Sequence, residues 1–128
     1  VKEKVVRAGF RFAFYLCALT VAVLAFYPLE AVPLTGDDKA NHIVAFAVLS
    51  WLADVAYSGP ARVLASWAFG LLVFGLFIEI TQRFLPYRHF SWLDLGADAL
   101  GIVLYIVVSR IFLAVVPRAS LRRQRKAG

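Results

Sequence analysis

The chain has 128 residues, of which 62% are hydrophobic and 17% charged. A soluble domain of this length buries only about two-thirds of the surface its unfolded chain exposes, so the apolar excess must face lipid; a disordered chain, a coiled coil and a disulfide scaffold are excluded. The net charge of +6, from 14 Lys+Arg against 8 Asp+Glu, would suggest nucleic acid in a soluble protein; here it orients membrane helices, and no nucleic-acid partner is expected.

Apolar runs follow in chain order at about 10–29, 41–57, 62–85 and 93–116. A hydrocarbon core needs roughly 20 helical residues, within a range of about 17–25, and each run fits. None alternates as a barrel strand does, and in lipid each backbone amide must pair within its own segment. The expected fold is an all-α membrane protein, a bundle of four transmembrane helices forming a single domain over 1–128. Lys2, Lys4, Arg7 and Arg11 precede the first run, as in a signal peptide. That run is longer than a typical h-region and no A-x-A site follows, so it is read as a span. Ser58-Gly59-Pro60-Ala61 is a turn between the second and third runs. The single cysteine, Cys17, cannot form an internal disulfide.

One side of the membrane receives Lys2, Lys4, Arg7, Arg11, Arg62, Arg118, Arg122, Arg123, Arg125 and Lys126. The other receives Lys39, Arg83 and Arg88. Lys and Arg gather on the cytoplasmic side, so an N-in/C-in topology in the bacterial inner (cytoplasmic) membrane is expected. The basic tail reads as a topology anchor. Asp54, on the inner side, is expected to meet Arg62 near the Ser58 turn in a structural role.

Most other polar residues collect at the external end. Asp38, Lys39 and His42 lead the second run, Glu79 and Gln82 close the third, and Arg88, His89, Ser91, Asp94 and Asp98 open the fourth. Residues three, four and seven apart share a helix face, so Gly75, Glu79 and Gln82 form one stripe and Ser91, Asp94, Asp98 and Gly101 another. Ionised groups inside a membrane are costly and seek partners, a protein interior or water. These stripes therefore bind each other or bind something else. The first alternative is a structural polar network in a helical scaffold or accessory subunit, with Arg88 or Lys39 paired to Glu79, Asp94 or Asp98. The second is a site.

For an enzyme acting on a lipid-linked phosphate, as hydrolase or transferase, Lys39 and Arg88 would hold the phosphate. His42 would be general base or nucleophile, with Asp38, Glu79 or Asp94 orienting it. Ser91 is a nucleophile only if a base approaches it. The catalytic candidates are thus His42, Glu79 and Asp94, and the ligand-binding candidates Asp38, Lys39, Gln82, Arg88, Ser91 and Asp98. No phosphatase, protease or glycosidase signature is present, so the reaction class stays open. One imidazole with scattered carboxylates, even with His89 added, lacks the usual zinc-ligand spacing; no metal or cofactor is expected. The same groups suit a module that binds membrane lipid or a lipid-linked envelope precursor without reacting. A transport path would need a homo-oligomer and a polar stripe in the inner half, which the sequence lacks.

Asp38-Lys39-x-x-His42, Glu79-x-x-Gln82, Arg88-x-x-Ser91-x-x-Asp94 and Asp98-x-x-Gly101 stand in this order at helix boundaries. Over roughly residues 35 to 105 the pattern resembles the VanZ-like family of small bacterial membrane proteins. The family pattern carries Asn where this chain has Asp98, so that position is either a carboxylate or a protonated, amide-like donor. The resemblance implies an integral protein of the bacterial cell envelope. The family's namesake is associated with antibiotic resistance, to the glycopeptide teicoplanin.

Overall fold

The structure, a computed structural model, describes residues 1–27 and 38–127. Among these, all regular structure is helical: α1 (Lys2–Phe26), α2 (Asp38–Ala56), α3 (Ala61–Arg83) and α4 (Trp92–Ala127). α1 starts well before the apolar run, and α4 continues well past it. Hydropathy marks only the part of a helix that suits lipid. Lys and Arg are good helix formers, so the basic flanks prolong the helices beyond that part. α4 even passes through Pro117, which has no N–H to offer the Leu113 carbonyl.

Lys2–Phe26, Ala61–Arg83 and the Trp92–Val116 part of α4 are long and apolar enough to cross a membrane, with mean hydropathies of 1.9, 2.1 and 2.5. Their outer faces carry Phe12, Phe69 and Phe112 in the open, and α1 has no buried residue at all. Apolar surface on this scale suits contact with lipid. α2 falls outside that description because Lys39, Asn41, His42 and Asp54 dilute it. Its place in the fold accounts for this: α2 packs against each of the other three helices. It contributes Phe46, Leu49, Ala53 and Ala56 to the interior, meeting Trp67 and Leu71 of α3 and Ile102 of α4.

The closest packing is between α2 and α4. A Cβ placed on Gly101 would collide with the backbone carbonyl of Ile43 and stand 3.1 Å from the Ala47 nitrogen. Small residues let membrane helices approach this way. At the far end of α2 from His42, Asp54 accepts a 2.8 Å hydrogen bond from the Tyr105 hydroxyl and lies 3.9 Å from Arg110. This corrects the expected partner. Asp54 is tied across to α4 and not to Arg62, because the tight α2–α4 seam brings Tyr105 to it. The Ser58 hydroxyl donates to the Asp54 carbonyl at 2.6 Å, closing the end of α2.

Gly101→Ala should therefore lower the melting temperature in detergent, with an overpacking cost of about 1–3 kcal/mol. Gly70 has nothing within 4 Å of a built Cβ, so Gly70→Ala should leave stability equal or raise it by up to about 1 kcal/mol. Thermal unfolding of the two variants side by side checks the asymmetry.

Candidate functional site

The site is built where the C-termini of α1 and α3 meet the N-termini of α2 and α4. Each contributing helix brings one face. On α3 the buried positions are Trp67, Leu71, Gly75, Ile78, Glu79 and Gln82, an interior stripe that turns polar in its last turn. On α4 Asp94, Ala97, Asp98, Gly101 and Ile102 are buried, a stripe that is polar in its first turns. The polar ends of the two stripes face His42 on α2.

His42 is the hub. Its Nδ1 and Asp98 Oδ1 share a 2.6 Å hydrogen bond, donated by the ring when Asp98 is a carboxylate, and its Nε2 lies 4.0 Å from Asp94 Oδ2. Asp98 is fully buried. Gly75 makes room for it, because a Cβ there would stand 2.6 Å from Asp98 Oδ2. A buried carboxylate on Nδ1 fixes the tautomer and ring orientation of an imidazole, which turns Nε2 toward Asp94. Lys39 Nζ approaches Asp94 Oδ1 at 3.5 Å from a half-exposed position. The side chain of Asp38 lies outside the described residues.

The start of α4 explains why Asp94 faces this hub. Ser91 caps the helix: its hydroxyl accepts the Asp94 N–H and its carbonyl accepts the Leu95 N–H, both at 3.3 Å. In a capping box the acidic residue in Asp94's position returns its side chain to the cap's own N–H. Here Glu79 of α3 accepts that Ser91 N–H instead, at 3.0 Å. The Asp94 carboxylate is thereby released toward His42 and Lys39. Ser91, read from sequence as a ligand contact, caps α4 and is tied to α3 through Glu79.

Gln82 and Arg88 act on α1. A helix ends in carbonyls without helical partners, and the last turn of α1 carries no basic residue of its own. Gln82 Nε2–H donates to the Ala25 carbonyl at 2.8 Å. Arg88 donates through Nη2 to the carbonyls of Leu24 and Tyr27 at 3.4 and 3.1 Å, and the Tyr87 hydroxyl donates to that of Phe26. The guanidinium sits at the negative end of the α1 dipole. Of the two cations expected to meet these carboxylates, Lys39 does so at Asp94, while among the described residues Arg88 makes no ion pair with Glu79, Asp94 or Asp98. The acceptors at the end of α1 draw these donors, and a hydropathy pattern does not show them.

Two features result. The first is a cleft of about 90 Å³ between α1, α2 and α3, room for a few waters by volume. Val21, Leu24, Phe46 and Ile78 make its apolar wall, and His42, Gln82 and Arg88 its polar edge. The second is a cluster in which one ligand atom each from His42, Glu79 and Asp94 lie within 4.8 Å of one another. These are the three residues read from sequence as catalytic. The spacing of a metal site, not visible along the chain, is supplied by three different helices. His89 stays exposed and outside the cluster. No protein-family model, curated protein or solved structure matches the chain.

Arg88→Ala should free the end of α1, because its Leu24 and Tyr27 contacts are hydrogen bonds from a charged group, a class worth about 1.5–3 kcal/mol each. Hydrogen exchange should rise in residues 22–27 while residues 92–102 keep their protection. Equal loss of protection in both segments would place Arg88 in the carboxylate network after all.

Proposed function

We propose that this chain is a four-span protein of the bacterial inner membrane, with both termini cytoplasmic, that holds the polar head of an anionic or lipid-linked envelope ligand in an outer-face cleft. The observation that carries this reading is the cleft's composition. Its wall is apolar along Val21, Leu24 and Ile78, and its edge is Arg88, Gln82 and His42. An amphiphile lying against such a wall ends its chain at a guanidinium. Both Arg88 bonds to α1 leave through Nη2, and a guanidinium has five N–H donors, so donors remain for a phosphate or carboxylate. The ten-to-three partition of Lys and Arg set out above supports the orientation. The motif likeness to the VanZ-like family supports an envelope role, including a link to glycopeptide resistance.

Acid–base chemistry on a bound head group has one specific support. His42 carries a buried carboxylate on Nδ1 and directs Nε2 to the site side, the arrangement of an oriented general base. In this role His42 moves the proton, Asp98 holds the ring, and Arg88 fixes the anion. The scaffold reading has its own support in the Ser91–Glu79 and His42–Asp98 bonds, which join three helices.

The test is native mass spectrometry of the purified chain. Wild type should retain an anionic or lipid-linked amphiphile. Ala45→Phe, which fills the cleft, and Arg88→Gln should each lose it at unchanged helical content. Retained mass that differs chemically from the membrane's own lipid would mark turnover. Equal retention by wild type and both variants, or none by wild type, contradicts the reading. A reporter fused after Gly128 and active only outside the cytoplasm contradicts the orientation.

A further inference from the structure

We infer that His42, Glu79 and Asp94 form a binding site for a first-row divalent cation, with Asp98 as the residue that positions the histidine. Three side chains from α2, α3 and α4 bring one nitrogen and two carboxylate oxygens within 4.8 Å of one another. Ligand atoms around such an ion stand about 3–3.5 Å apart, given bond lengths of about 2.0–2.2 Å. His42 Nε2 and Asp94 Oδ2 are 4.0 Å apart. Side-chain rotation of about one ångström closes the remainder around an ion of that size.

A second, independent observation points to a ligand. Glu79 is fully buried. Its Oε2 accepts the Ser91 N–H, but its buried Oε1 has no hydrogen-bond partner among the described residues. Leaving a buried polar atom unsatisfied is expensive, more so on a charged group. A cation beside Oε1 removes that cost. Asp98 adds the feature that commonly accompanies a metal-bound histidine: a carboxylate accepting the proton of the other ring nitrogen. The 2.6 Å bond from His42 Nδ1 to Asp98 Oδ1 has that form.

Charge and ligand type narrow the ion. The two carboxylate ligands balance a dication, and the third carboxylate, Asp98, is balanced by Lys39, which stands half-exposed beside Asp94. Calcium takes six to eight oxygens, more than this set provides. Imidazole suits zinc and iron, and carboxylates suit manganese. His42 also borders the cleft between α1, α2 and α3, which gives the ion a way in. This site stands on the cluster and not on the amphiphile reading, so absence of retained lipid leaves it untouched; an ion on Nε2 takes the lone pair that a general base needs, so His42 acts as a base only in the metal-free chain.

The experiment uses the full chain in detergent, stripped with a chelator and dialysed against Zn²⁺, Mn²⁺ or Ca²⁺, with bound metal read by elemental analysis. Zn²⁺ or Mn²⁺ should bind at a single ion per chain and raise the melting temperature, with Ca²⁺ weaker by about tenfold or more. Glu79→Gln keeps an acceptor for the Ser91 N–H, and both it and Asp94→Asn should lose binding by about tenfold or more. Asp98→Asn should weaken it by about 10–100-fold. Glu3→Gln, at an exposed pair with Arg7, should bind as wild type does. Melting in chelator identifies a variant that fails to fold, and the other variant of the Glu79 and Asp94 pair then decides. Absence of Zn²⁺ and Mn²⁺ binding, Ca²⁺ binding of equal strength, or wild-type affinity in a folded Glu79→Gln or Asp94→Asn overturns the site.

Discussion

At Gly101 the backbones of α2 and α4 touch with no side chain between them, and the polar end of the molecule depends on that contact. Ile43, which meets Gly101, follows His42 in sequence, and Asp98 lies one helical turn before Gly101. Bringing the two backbones together therefore sets the histidine against the carboxylate. The same seam places Tyr105 on Asp54 at the opposite end. A chain whose outer surface is apolar has no water there to solvate an acid. Its carboxylates must find their partners inside, and α2 is the helix against which the others present them.

The ends of the helices solve one another's problems. α1 finishes without a basic residue in its last turn, and Gln82, Tyr87 and Arg88 donate to its last carbonyls. α4 begins with a serine cap whose own N–H is taken by Glu79. Because α3 accepts that N–H, Asp94 is left to face His42. Local helix capping and the acidic cluster are thus one arrangement. A substitution at Glu79 changes both, which is why an isosteric amide is the informative replacement.

Much of this was legible along the chain. The helices follow from the apolar runs, and three of them are long and apolar enough to cross a membrane, where the backbone has no alternative to helix. The gathering of His42, Glu79, Asp94 and Asp98 at one end follows from helical spacing and the cost of charge in a membrane. Partner choice was not legible. Of the two cations expected on the carboxylates, Lys39 lies on Asp94 and Arg88 on carbonyls of α1, since the need of a helix terminus leaves no mark in composition. Asp54 was expected to meet its neighbour in sequence and meets α4, since the depth of the Gly101 contact is a three-dimensional property. The metal-like spacing of His42, Glu79 and Asp94 has no linear signature, as each ligand comes from a different helix.

The central claim is that a buried carboxylate holds His42 in one tautomer with Nε2 turned to the cluster. Nitrogen-15 NMR of histidine-labelled protein, with His89 replaced by Gln so that a single ring remains, reads this directly. In chelator, the account predicts a proton on Nδ1, protected from exchange with water, and a bare Nε2. Asp98→Ala should then release the ring to the ordinary mixture of tautomers. A proton on Nε2 in the wild-type chain, or an Nδ1 proton that exchanges as freely as in a solvated histidine, would contradict it.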